Sequence, residues 1–379
     1  MENPIQIVPV SDKRGLHRFI QFPFELYKGD PYWVPPFYLE RKEFFDTRKN
    51  PFYEHAEYQL FLALRSGRIV GTVGAVIDEN HNRQHNELMG AFGFFESIDD
   101  QDVADALLNT VREWILDRGM TLMRGPLNFS TNHECGLLVD GFRETPMVMT
   151  TYNPGYYPWL IENYGFRKAM DLYTYAGSLD QSQHDLPSKA FRVADRAARR
   201  HGISVRPISK KRFMEEMVRF KEFYNQTWRH QWGFVPMTEK EGVYLAINLK
   251  LLVDPRLVLI AENSAGTPIG ISIALPDLHQ AIKRSGGGAL FPFGLLRFLW
   301  FRRQITQMRL MVMGVTDEYR NCGIDAIFWV ETVRAGRALG YKRMEGSWVI
   351  ETNTMMNRIG RVVSETVSRT HRIYDLSLN

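Results

Sequence analysis

MRLMVMGVTDEYRNCGIDAIFWVETVRAGRA, residues 308–338, is the stretch on which the reading of the fold turns. Residues 308–315 are a short apolar run of strand character, and 316–321 are polar and turn-like. From Cys322 onward, Ile327, Val330, Val333, Ala335 and Ala338 recur among Glu331, Arg334 and Arg337, the spacing of a helix. The order is therefore strand, loop, helix. Gly323 stands where the loop enters the helix. A glycine there lets the backbone approach a ligand closely, while the helix start offers unpaired N–H groups and the positive end of a dipole. Such a place suits an anion, phosphate most naturally. A helix start packed in the core is the competing reading, because a lone Arg-x-x-Gly is a weak motif.

The next residues add context. Gly340-Tyr341 closes the helix, 342–350 returns as a strand, and Asn353 follows. In this order, the segment resembles the GNAT acyltransferase superfamily, whose phosphate loop follows Arg/Gln-x-x-Gly-x-Gly/Ala between a strand and a helix. Here it reads Arg320-x-x-Gly323-x-Asp325. The resemblance implies a mixed α/β fold and an acyl-CoA, consumed as co-substrate. Its contacts would be Val315, Arg320, Asn321, Cys322, Gly323, Ile324, Asp325 and Ala326, with Asn353 at the family's asparagine. Asp325 departs from the pattern, since a carboxylate facing a pyrophosphate repels it, and Ala326 takes the small residue's role. The family also has an acidic tyrosine one or two turns beyond this asparagine. Residues 354–360 contain none, which leaves Tyr374 as a substitute.

At 379 residues the chain is too long for one such module and suits about two domains. Hydrophobic residues at 44% and aromatics at 13% support real cores, and a net charge of +4 does not announce a nucleic-acid binder. Cys135 and Cys322 are the only cysteines. Two thiols without Cys-x-x-Cys spacing fit a reducing compartment and offer no disulfide framework. No signal peptide is read at the N-terminus, and no run reaches the ~18 apolar residues of a membrane span, so the expected location is the cytoplasm.

The first half repeats the order of the second. Strand 6–10, helix 12–27, hairpin 58–64 and 69–77, strand 92–98, helix 100–118 and strand 122–125 are expected in turn, with 29–36 an aromatic, proline-rich loop. Asn163-Tyr164-Gly165-Phe166 matches the Tyr-x-x-Gly-Phe ending of GNAT modules, before strand 172–177. The fold class expected is α/β of α+β type, two tandem GNAT-like units, each a mixed twisted sheet flanked by helices. Their bounds are 1–180 and 202–379, joined by linker and connecting helix 181–201. Only the second unit should hold a cofactor, because Glu96, Asp99, Asp100 and Asp102 stand where a phosphate loop in the first would need glycine and positive charge. Tandem acyltransferases such as N-myristoyltransferase are similar in this division of labour.

Residues 124–136, RGPLNFSTNHECG, place many hydrogen-bonding side chains between two glycines. His133 and Glu134 are the candidate bases for an amine nucleophile, the histidine because it titrates near neutrality. Neighbours on an extended chain point to opposite faces, so one of the two is expected in the site, and His133 is chosen. Asn128, Ser130 and Asn132 are candidate substrate contacts, as are Trp228 and Trp232 from the irregular stretch 225–236. No metal is expected, for no second histidine follows at His-x-x-x-His spacing.

Residues 283–309 lack any acidic residue, and their aromatics are rimmed by Lys283, Arg284, Arg297, Arg302, Arg303 and Arg309. The apolar part is too short to span a bilayer but suits the inner-leaflet headgroup boundary. A buried insertion helix is the alternative. Over its whole length, through 50–57 (NPFYEHAE), 128–138 (NFSTNHECGLL) and 314–326 (GVTDEYRNCGIDA), the chain resembles a group of bacterial tandem GNAT-like proteins that includes ceramide synthases. The resemblance implies N-acylation of a lipid amine such as a sphingoid base. Acetylation of a small amine and a catalytically silent acyl-CoA-binding protein stand beside it.

Overall fold

The computed structural model describes residues 4–180, 188–250, 252–287, 293–364 and 366–378. Part of the expected linker, 181–187, lies outside them. The N-terminal half supplies strands β1 (Gln6–Pro9), β2 (Ala56–Arg65), β3 (Arg68–Asp78), β4 (Met89–Ser97), β5 (Leu122–Gly125), β6 (Leu137–Asp140) and β7 (Arg167–Ser178). The C-terminal half supplies β8 (Ser204–Pro207), β9 (Val258–Glu262), β10 (Pro268–Pro276), β11 (Gln307–Val315), β12 (Arg343–Ile350) and β13 (Arg369–Ser377). All join one sheet in the order β1-β2-β3-β4-β5-β13-β7-β12-β11-β10-β9-β8, with β6 against β13.

Followed inward from either edge, the order is the same, five strands and then a last one. Each half has one parallel pair, β4 with β5 and β11 with β12. A parallel pair needs a crossover, provided by helix Gln101–Leu116 in one half and Ile324–Ala338 in the other. The first buries Val103, Leu107, Val111 and Ile115, one helical turn apart. The last strands are exchanged. β13 pairs with β5 through Tyr374 and Gly125, and β7 pairs with β12 through Gly177 and Met344. β7 and β13 thus cross between the halves, and each half of the sheet is completed by the other's final strand.

In both parallel pairs the bonding stops early. β11 and β12 are in register from Gln307 with Arg343 to Leu310 with Gly346 and no further. Beyond Gly346 the register of β12 against β7 shifts at Ser347 and Trp348. The strands splay, and the wedge between them opens into the interior.

A buried cation ties the halves together. His55 Nδ1 is 2.9 Å from Asp78 Oδ1 at the end of β3, and its Nε2 is 3.2 Å from Glu241 Oε1 on helix Glu239–Lys250, close enough for an ion pair though off-axis for a hydrogen bond. Burial alone would lower the imidazole's pKa, but bonding and charge from Asp78 and Glu241 outweigh it and push it up to about 10. Relative to an unfolded value near ~6.5, this stabilisation is complete below that pH and fades as pH rises through 10. His55→Gln leaves two buried carboxylates unpaired and should destabilise the fold by roughly 3 to 5 kcal/mol at neutral pH. Urea midpoints of wild type and variant should converge between pH 7 and 10; a constant gap would mean the histidine is not held charged.

Candidate active site

Where β11 ends, Val315 is buried and a short turn, Asp317–Tyr319, leads to Arg320. Asn321 and Gly323 both take left-handed backbone angles, φ 64° and 78°. Gly323 is the N-cap of helix Ile324–Ala338, and no side chain caps that helix. The N–H groups of Gly323, Ile324, Asp325 and Ala326 accordingly find no acceptor among the described residues. Arg320 and Arg229 converge on Asp317, at 2.8 and 3.4 Å, and bring positive charge to the turn. Burial raises the Asp325 carboxyl's pKa, opposed by the charge of Arg320. The matching helix of the N-terminal half is closed differently. Asp100 accepts from the Val103 N–H at 3.3 Å and pairs with Arg65 at 2.6 Å, so its own carboxylate occupies the anion position.

Before this turn, the wedge between β11 and β12 opens on a cavity of about 290 Å³, whose lining on β11 reaches Met313. Met311, Val312 and Met313 line one side, and Ser347, Trp348, Val349 and Ile350 the other. Fully buried Arg309 holds the wedge open. It donates to Ser347 Oγ at 2.9 Å and to the Val148 and Met149 carbonyls at 2.8 and 2.7 Å, and lies 5.1 Å from the Trp348 ring centre. Burial lowers its pKa to about 10, still charged near neutrality. Trp348 Nε1 donates to Nδ1 of His371, which burial keeps neutral with a pKa near 3.

The loop 126–136 forms the far wall. His133 lines the cavity with its ring edge-on to Phe44 and Phe52, each 5.2 Å away. Burial lowers its pKa, which favours the neutral imidazole, and its buried Nδ1 has no partner among the described residues. Asn132 beside it accepts from the Tyr224 hydroxyl at 2.7 Å and donates to the Val235 carbonyl at 3.1 Å, which fastens the loop to the C-terminal half. Trp228 and Trp232 line the same cavity. The Trp228 ring fills the space over Gly314, where a Cβ would come within 2.0 Å of it.

Glu134 faces away, into a second cavity, and is bound by Arg41 at 3.2 Å. Burial would raise its pKa, but Arg41 outweighs that and keeps it ionised. Asn128 lines the second cavity too, and Ser130 is buried with its Oγ accepting from the Asn132 N–H. Asn353 lines the first cavity and caps helix Thr354–Val363 through the Met356 N–H. Tyr374 is elsewhere: fully buried in the N-terminal core, its hydroxyl donates to Glu162 at 2.9 Å and does not line the cavity. A tyrosine the sequence reading passed over is present instead. Tyr175, on the exchanged β7, lines the cavity and donates to Asn357 at 3.0 Å, on the helix where the family's tyrosine was sought. Among the described residues no group of three or more His, Cys, Asp or Glu could hold a metal ion.

No family model matches the sequence. A curated relative, "Bacterial ceramide synthase" of Caulobacter vibrioides, is 36% identical over 99% of this chain and 98% of its own length. The chain belongs to the bacterial ceramide synthase family. A second curated relative, "Protein YghO" of Escherichia coli, is 33% identical over 96% of the chain and 93% of its own length. Among solved structures, the tandem GNAT protein from the clavulanic acid biosynthesis pathway aligns over 99% of both chains with a TM-score of 0.57 at 11% identity. A GCN5-related N-acetyltransferase from Sphaerobacter thermophilus gives 0.51 at 13% identity, over 100% of this chain and 97% of its own. At such identities these two likenesses establish the tandem GNAT fold alone. In this ceramide synthase family member, His133, Asn132 and both tryptophans therefore share one cavity with the wedge of the C-terminal half.

Proposed function

We propose that the protein is an acyl-CoA-dependent N-acyltransferase that acylates a lipid amine such as a sphingoid base. The observation that carries this reading is that β11, whose Met311, Val312 and Met313 line one cavity with His133, runs on into the turn before an uncapped helix start. The phosphates lie on residues 320–326 and the pantetheine arm in the wedge. The acyl chain lies against Phe220, Leu245, Leu249 and Ile273. The amine nitrogen attacks the thioester carbon, His133 takes its proton, and the coenzyme A thiolate leaves. The thiolate leaves without a dedicated proton donor, since the Tyr175 hydroxyl gives its proton to Asn357 Oδ1. Family membership with a protein named ceramide synthase supports the lipid acceptor. Purified protein given long-chain acyl-CoA and sphingoid base should release free thiol and amide in equal amounts. Acylation of small soluble amines alone would favour the acetyltransferase reading, and neither product the silent one.

A lipid acceptor is best met at a membrane surface. Helix Gly294–Arg302 anchors through buried Phe298, edge-on to Phe37, and leaves Leu296 and Trp300 67% and 63% exposed beside Leu295, Leu299 and Phe293. No helix among the described residues is long and apolar enough to cross a membrane. Arg302, at the end of this helix, lines a groove with Lys210, Lys250 and Asp254. Two residues expected in that interface belong inside: Phe298 is packed in the core, and Arg309 holds the wedge. Residues 288–292 of the segment lie outside those described. Each basic side chain is worth on the order of 1 kcal/mol near an anionic surface, less as salt rises. In flotation, wild type should rise with anionic phospholipid vesicles, and Leu296→Ser/Leu299→Ser/Trp300→Ser should stay below with acyl-CoA binding intact. Wild type that ignores vesicles of every charge would remove the interfacial role.

A further inference from the structure

The cation that joins the halves carries one charge against two. His55 meets Asp78 at 2.9 Å and Glu241 at 3.2 Å, so the three groups together hold a net negative charge away from water. That charge lies beside His133. The Phe52 ring stands edge-on to both imidazoles, 5.2 Å from the centre of each. Nδ1 of His133, Nε2 of His55 and Oδ2 of Asp78 are all buried without a hydrogen-bond partner among the described residues. On the other elements packed around His133, Glu134 and exposed Glu40 share Arg41, at 3.2 and 4.0 Å. Glu43 pairs with Lys49 at 3.5 Å, Glu54 with Lys240 at 2.6 Å, and Arg309 in the wedge lies opposite Glu345 in the register of β11 and β12. Burial lowers the His133 pKa most; Glu241 and Asp78, in that order, raise it, Glu134 adds to them, and His55 opposes.

When His133 takes the proton of the attacking nitrogen, the N–H electron pair stays on that nitrogen for the amide, and the imidazole gains a proton and a positive charge. The charge appears among Phe44 and Phe52, where water answers it poorly. Fixed negative charge nearby then lowers the barrier without holding the neutral resting state any tighter. We propose that Glu241 and Asp78 stabilise the His133 imidazolium formed during amide synthesis, as positioning residues that act through the base and touch no substrate. Resting on the acyltransferase reading, this gives the base to one half of the chain and the stronger of its supporting charges to the other.

The test is Glu241→Gln, which keeps the side chain's shape and removes its charge. It is read by kcat/KM against pH with long-chain acyl-CoA and sphingoid base, and by the ring-proton resonance of His133, identified by its loss in His133→Ala. Turnover should fall about tenfold at neutral pH with acyl-CoA affinity unchanged, and the acid limb and the ring titration should both move to lower pH. The direction is decisive. A variant that only loosens the packing admits water and moves the titration up toward free imidazole, whereas lost negative charge moves it down. If Glu241→Gln melts without cooperativity, Asp78→Asn removes the other carboxylate, keeps Oδ1 as acceptor for His55 and the Asn80 N–H, and should act in the same sense. A titration that stays or rises in a folded variant, or unaltered turnover, overturns the proposal. Amide formed with the titration unmoved rejects this role for the cluster and leaves the acyltransferase standing. A downward shift in a protein that forms no amide overturns the acyltransferase reading and the catalytic role with it, leaving the charge contact alone.

Discussion

His133→Ala should lower turnover by about 2 to 4 powers of ten while leaving acyl-CoA affinity unchanged, the loss expected when a general base is removed and substrate binding is not. The imidazole lines the cavity, and burial lowers its pKa, so it is in its basic form at neutral pH. Glu134 has no equivalent standing, being tied to Arg41 in the other cavity. Since the neutral form is the active one, the acid limb of kcat/KM should fall below the ~6.5 of free imidazole and vanish in the variant's residual rate. The same depression acts on stability. Between the two pKa values the unfolded chain binds the proton and the folded one does not, so this contribution is complete above pH ~6.5 and is lost as pH falls. Wild type should therefore lose stability in mild acid faster than His133→Ala. A variant with unaltered turnover would assign the proton elsewhere, and one that fails to melt cooperatively would make the histidine a packing residue between Phe44 and Phe52.

What the sequence reveals here is what its local chemistry determines. The run 308–338 reads as strand, loop and helix because periodicity changes at Gly323, and hairpin 58–77 because a glycine sits in its turn. The asymmetry of the halves is equally local: Asp100 caps one crossover helix, and no side chain caps the other. The exchange of β7 and β13 is not local. Both halves end in strands of the same character, so either satisfies the neighbouring edge, and nothing nearby in the chain says which does. Two site readings depend on that exchange. Tyr374 is carried into the N-terminal core, while Tyr175 reaches the cavity, because each last strand serves the other half. Arg309 misleads for a different reason. In a segment without acids it counts as one of several basic residues, yet a guanidinium inside an apolar strand run is a buried one, satisfied by carbonyls that approach from elsewhere in the chain.

Gly323→Val should raise the acyl-CoA dissociation constant by about 100-fold or more, equivalent to roughly 2.7 kcal/mol. The backbone at φ 78° suits glycine, and a β-branched side chain there is strained by about 1 to 2 kcal/mol. Its Cβ would also come 3.0 Å from that of Ala197 on helix Ser188–His201, so the loop must shift rather than simply carry the new group. That shift turns the N–H groups of residues 323–326 away from the phosphates. Each charge-assisted bond is worth about 1.5 to 3 kcal/mol, and the loss of one or two accounts for the expected change. The strain falls on a helix start and on the one apolar cluster that holds Ile324 and Ala197, while the other four contain no residue of this turn. Melting should stay cooperative, a few degrees lower. Calorimetric titration of wild type should find one acyl-CoA per chain, because Asp100 already fills the corresponding position in the N-terminal half. A folded Gly323→Val protein that binds acyl-CoA as wild type does would move the phosphates off this loop. Two equivalent sites in wild type would mean that a carboxylate cap does not exclude the cofactor.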